Sequence, residues 1–115
     1  MADLDKLEAA AKAATPGPRH VDVTIDPVDG PIGGAVCVGD VTICSETRSS
    51  ADADFLAAAN PATVLALVAV ARSAARYQRV LDGHVIPGDA GSMFDRVESA
   101  KAALADDLAA LEALP

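Results

Sequence analysis

Ala35-Val-Cys-Val-Gly39-Asp40-Val-Thr-Ile-Cys44 is the stretch on which the fold turns. Valine and isoleucine alternate with Ala, Cys and Thr on both sides of Gly39-Asp40, and a Gly-first pair is the form of a two-residue type II′ hairpin turn. That turn fixes the register, so that Val38 faces Val41 and Val36 faces Ile43. The four apolar side chains then share one face, which is expected to pack on helices. The opposite face takes Ala35, Cys37, Thr42 and Cys44. The two cysteines are diagonal neighbours at about 7–8 Å, beyond disulfide reach, and two free thiols are expected.

Working outward toward the N-terminus, Val21, Val23 and Ile25 alternate with Asp22, Thr24 and Asp26, the period of a half-buried strand. Asp26-Pro-Val-Asp-Gly30 turns that strand into the hairpin. Before it, Asp3 caps a helix in which Leu4, Leu7, Ala11 and Ala14 recur at three- and four-residue spacing, and Thr15-Pro16-Gly17-Pro18 ends it.

Toward the C-terminus, Ser49 or Ser50 followed by Asp52 and Asp54 starts a helix with acids at the positive end of its dipole. Asn60-Pro61 gives a second cap with Pro at the first helical position, so the helix bends there and resumes. Between Phe55 and Ala71 apolar residues occur on every side. A helix apolar all round is buried all round, so this segment is expected to lie between the sheet and another helix or subunit. Asp82-Gly83 to Gly91 is a loop by its Gly and Pro content, and Ser92 with Asp95 forms a capping box for the last helix. In that helix Phe94, Val97, Lys101, Leu104, Leu108 and Leu111 follow a heptad seam suited to a helical pair.

The expected fold is therefore α+β in a single domain over residues 1–115. It comprises an N-terminal helix and a three-stranded antiparallel β-meander (1–48), kinked central helices (49–82), a loop (83–91) and a C-terminal helix (92–115). The long helices form a helical hairpin or an oligomer bundle. A chain of this length buries roughly two thirds of the surface its unfolded form exposes, enough to fold without a staple.

Here the residues meet a known pattern. Ala14-Thr15-Pro16-Gly17-Pro18, then a short run of strands, then Ala51-Asp-Ala-Asp-Phe-Leu-Ala-Ala-Ala-Asn-Pro-Ala-Thr-Val-Leu-Ala-Leu67, resembles the Ead-like family of phage early-region proteins over residues 4–70. The resemblance implies a phage or prophage origin, an oligomerising helical tail and an accessory role during infection, and it implies no catalytic residue. Family members usually follow the Thr-Pro-Gly-Pro element with Trp, where this chain has Arg19-His20. A Trp anchor between the first helix and the sheet therefore does not transfer.

Composition narrows the chemistry. Seventeen acidic against nine basic residues give a net charge of −8, which opposes broad phosphate-backbone contact and makes nucleic acid a poor partner. The start of the chain has no basic region followed by an apolar stretch, and the apolar run over residues 62–71 ends at Arg72, short of the roughly 30 Å core of a bilayer. A cytoplasmic protein with no membrane partner is expected. Cys37 and Cys44 form no metal knuckle and fit a reducing compartment.

With His20 and His84 as the only histidines, and no G-x-S-x-G, H-E-x-x-H or P-loop, no catalytic residue, cofactor or metal is assigned. Asp82, His84 and Asp89 match no metal loop, and Gly88 to Ser92 reads as a cap. Gly30-Pro-Ile-Gly33-Gly34 precedes a strand, where phosphate cradles precede a helix.

Two sets of residues remain as candidate surfaces. Arg72, Arg76 and Arg79, beside Tyr77, share one helical face. They are paired with Glu98, Asp106 or Asp107 on the returning helix, or simply solvated, or they form an anion site, since Arg forks suit phosphate. Phe94, Val97, Leu104, Leu108 and Leu111 form the helix-pair or homo-oligomer interface. The expected function is binding and oligomerisation, with a host protein as partner. The alternatives are sequestration of a nucleotide-like ligand by the Arg stripe, and a small enzyme.

Overall fold

The computed structural model describes residues 3–84 and 91–114. Its elements are α1 (Leu4–Ala13), β1 (His20–Asp26), β2 (Gly30–Val38), β3 (Val41–Cys44), α2 (Ser50–Ala58), α3 (Pro61–Leu81) and α4 (Met93–Glu112). The fold is α+β, with a three-stranded antiparallel sheet in the order β1-β2-β3. The chain divides into two compact units, one ending at Val64 and the other starting at Leu65.

In the first unit, local chemistry sets the element ends. The Asp3 carboxylate accepts from the Lys6 N–H at 3.0 Å, and Glu8 pairs with Lys12 one turn on at 2.6 Å. Ser49 caps α2 by accepting from the Asp52 N–H at 3.1 Å. The helix then breaks at Ala59-Asn60 and resumes at Pro61, where the Asn60 side-chain carbonyl accepts from the Thr63 N–H at 3.1 Å. The Gly39-Asp40 turn is present, with Gly39 at φ +55° and Val38 opposite Val41.

Arg19, which stands where the family resemblance implies Trp, supplies an anchor of another kind. Its guanidinium donates to the Leu56 carbonyl at 2.9 Å and lies 3.5 Å from that of Ala59. Both are carbonyls that the end of α2 leaves without an intrahelical partner, and a cation there also interacts favourably with the negative end of the helix dipole.

The sheet departs from the expected pattern in register and in coverage. The pairing slips by one residue between Val36 and Cys37, so Val36 lies opposite Cys44 instead of Ile43. A second slip falls between Thr24 and Ile25. Val36 is fully buried and Val38 half-buried, whereas Val41, Ile43, Val23 and Ile25 are exposed. The reason is coverage: α2 packs on β2 and, less extensively, on β1. The β3 edge and the distal end of the β1–β2 hairpin stay uncovered. Cys37 and Cys44 are free thiols, as expected, but with separate partners, Cys37 facing Asp22 and Cys44 approaching the Glu46 carbonyl at 3.2 Å.

The apolar stretch from Phe55 to Ala71 is not buried all round. Pro61 and Val68 are buried, while Phe55 is 70% exposed and Leu56 and Leu67 are also accessible. The small sheet covers one side of α2, and Phe55 on the helix stays exposed. Among the described residues no single helix is long and apolar enough to cross a membrane.

The second unit is a helical hairpin. α3 ends through a Schellman pattern, in which the Gly83 N–H reaches the Val80 carbonyl and the His84 N–H reaches that of Arg79, each at 3.0 Å. Residues 85–90, most of the expected loop, and with them Asp89, lie outside the described residues. α4 opens with the expected capping box, Ser92 and Asp95 each accepting from the other's backbone N–H. Ser92→Ala should cost about 1 kcal/mol and lower Tm by about 4 °C in a thermal melt; an unchanged Tm would show that the first turn of α4 is held by something else.

Candidate functional site

The facing sides of α3 and α4 meet through polar bridges. The Ser73 hydroxyl donates to the Asp107 carboxylate, and the Arg76 Nη2 donates to the Ser99 hydroxyl at 3.4 Å. Advancing along α3 means going back along α4, so the two helices run antiparallel. Val80 and Ala100 are fully buried and Val68 nearly so.

The expected α4 seam is rotated. Val97, Leu104 and Leu111 are half-buried, but Phe94 is 72% and Leu108 41% exposed, and Lys101 is exposed too. The inward line runs instead through Ala100 and Asp107, one residue from Lys101 and Leu108 and hence about 100° around the helix. The Ser73–Asp107 bond explains the rotation, because bringing that carboxylate to α3 turns Leu108 outward. The five apolar residues thus separate into a half-buried line and an exposed edge of Phe94 and Leu108.

The arginines fall on the same hairpin. Arg76 is half-buried against Ser99, and Tyr77 is half-buried beside it. Arg72 and Arg79 are exposed, and both Arg72 and Arg76 make further interactions. Asp107, one of the acids expected to pair with the stripe, is engaged by Ser73 instead. Asp82, from the loop considered for metal binding, accepts from the Gln78 side-chain amide at 3.1 Å.

In the first unit, Cys44, Glu46, Thr47, Arg48, Asp52, Phe55 and Leu56 line an open groove of about 320 Å³ between the end of β3 and α2. Thr47 fixes the connecting loop, since its hydroxyl accepts from the Gly34 N–H at 3.0 Å and donates to the Ser49 carbonyl at 3.0 Å. Phe55 and Leu56 give the groove its apolar wall.

One cluster is not singled out by the sequence pattern. The sheet brings His20, Asp22 and Cys37 together, with donor atoms all within 4.8 Å of one another. Strand alternation alone places His20 and Asp22 on one face. That Cys37 joins them follows only from the β1–β2 register, which pairs it with His20.

A family model described as Ead/Ea22-like protein matches residues 5–114. The match runs through α4, well beyond the stretch up to residue 70 on which the sequence resemblance rests. No characterised protein and no solved structure matches the chain significantly.

Proposed function

The chain belongs to the Ead/Ea22-like protein family of bacteriophages, and from that premise we propose that it is an accessory factor acting by binding and self-assembly, without catalysis, in the host cytoplasm. The observation that carries this reading is the set of large apolar side chains left uncovered on the helices: Phe55 and Leu67 on α2 and α3, Phe94 and Leu108 on α4. Burying one such side chain stabilises by about 1.5–3 kcal/mol, so a second copy covering the α4 edge has a substantial driving force. The occupant of that edge is another copy of this chain; the groove beside Phe55 is left for a host protein.

The direct test is the mass by light scattering at micromolar concentration, with a host-lysate pull-down to follow. A monomer mass would refute self-assembly. Recovery of no specific host protein would remove the second half of the proposal.

A second reading gives the Arg face an anionic, nucleotide-like ligand, supported by the exposure of Arg72 and Arg79 on one side of α3. For a ligand with a dissociation constant near 10 µM, about 1 mM nucleotide should stabilise the fold by about 2.7 kcal/mol, raising Tm by about 10 °C. Arg76→Ala should remove that shift. No shift across a panel of linear and cyclic nucleotides would sink this reading, and a shift that survives Arg76→Ala would place the site elsewhere.

A further inference from the structure

We propose that His20, Asp22 and Cys37 form a binding site for a borderline transition-metal dication such as Zn²⁺. His20 and Asp22 are two apart on β1 and so project from the same face. Cys37 on β2 stands directly opposite His20. The His20 Nε2 lies 3.9 Å from the Asp22 Oδ1, and the Cys37 Sγ lies 3.7 Å from the Asp22 Oδ2.

Ordinary zinc bonds to N, O and S arranged tetrahedrally place neighbouring donor atoms about 3.3–3.6 Å apart. The two contacts engage different oxygens of the Asp22 carboxylate, and all three donor groups lie within 4.8 Å of one another, so the side chains must draw together by up to about 1 Å to hold an ion. The mobile partners are the right ones to close the gap. Cys37 is buried and fixed within the sheet, while the His20 and Asp22 side chains are 51% and 72% exposed, free to adjust and open to an entering ion.

The donor set selects the class of metal. Mg²⁺ and Ca²⁺ take oxygen ligands throughout, whereas one thiolate, one imidazole and one carboxylate suit Zn²⁺ and Co²⁺. The thiolate and carboxylate together neutralise a dication, and binding releases the thiol proton to solvent. Three protein ligands leave the fourth tetrahedral position open to water or to a partner's donor. This site uses sheet residues that the proposed assembly does not, and its test does not depend on assembly.

The experiment is a Co²⁺ titration of the full reduced chain, read by absorbance. The expected result is a near-ultraviolet thiolate-to-cobalt charge-transfer band with visible d–d bands, displaced by Zn²⁺. Cys37→Ser should abolish the charge-transfer band, and Cys44→Ser should keep it. His20→Ala should weaken Co²⁺ affinity about a hundredfold, at least the loss seen for disturbing a metal ligand's supporting partner. Absence of the band up to about 1 mM Co²⁺, affinity too weak for a resident ion, would overturn the proposal. So would a band that persists in Cys37→Ser or vanishes in Cys44→Ser. Should Cys37→Ser fail to fold by circular dichroism, His20→Ala and Asp22→Asn at the exposed ligands decide, and unchanged affinity in both overturns the site.

Discussion

Phe94→Glu combined with Leu108→Glu is expected to raise the dissociation constant for self-association by about a thousandfold or more, about 4 kcal/mol, leaving a monomer at micromolar concentration. The size follows from symmetry. In a twofold interface each substitution enters twice, so two changed side chains remove four apolar contacts and oppose four carboxylates across the contact. Both positions are exposed in the single chain, so folding of the monomer should be nearly untouched.

Two readouts separate assembly from stability. Light scattering should show the mass fall, and the Tm of the native chain should rise with protein concentration while that of the variant does not. An unchanged mass in the variant would remove the α4 edge as the interface. A large loss of Tm at high dilution would show instead that Phe94 or Leu108 stabilises the monomer.

Gly34→Ala carries the largest expected effect on folding itself. A Cβ built at Gly34 lies 2.4 Å from the Asp22 carbonyl oxygen and 3.1 Å from both the Asp22 carbonyl carbon and the Val23 Cα. These are backbone atoms of the paired strand, and they cannot rotate away as the end of a side chain would. β1 must therefore move off β2. We expect a loss of about 3 kcal/mol or more, from a total that for a domain of this size is about 5–15 kcal/mol. Tm should fall by about 12 °C or more. The same displacement would pull Asp22 away from Cys37, so the Co²⁺ band should be lost even where the variant remains folded. A Tm within a few degrees of the parent would show that the two strands are not held this close.

The capping residues, Asp3, Ser49, Asn60 and Ser92, and the Gly39-Asp40 turn are legible in the sequence because each signal and its partner lie within four residues. The same locality limited the reading of the sheet. A slip at Val36/Cys37 moved Val36 from Ile43 to Cys44, a second at Thr24/Ile25 shifted β1 against β2, and no neighbouring residue announces either. Alternation marked Val21, Val23 and Ile25 as a strand with one apolar face. It did not say how far a nine-residue α2 would cover that face.

On α4, spacing gave the apolar positions but not the angle at which they meet α3. The Ser73–Asp107 bond, joining residues 34 apart, chose that angle and left Phe94 and Leu108 outside. The grouping of His20, Asp22 and Cys37 likewise exists only once β1 and β2 are paired.

The sequence by itself determined the order and type of the elements and the capped helix ends, because caps, turns and hydrophobic periods are interactions of a residue with its near neighbours along the chain; it missed that β2 starts at Gly30, ahead of the Ala35 read from alternation. Tertiary structure decided which apolar faces are covered and which polar groups converge. Both depend on register and rotation between elements far apart in sequence, where a shift of one residue turns a strand's side chains over and swings a helix by about 100°.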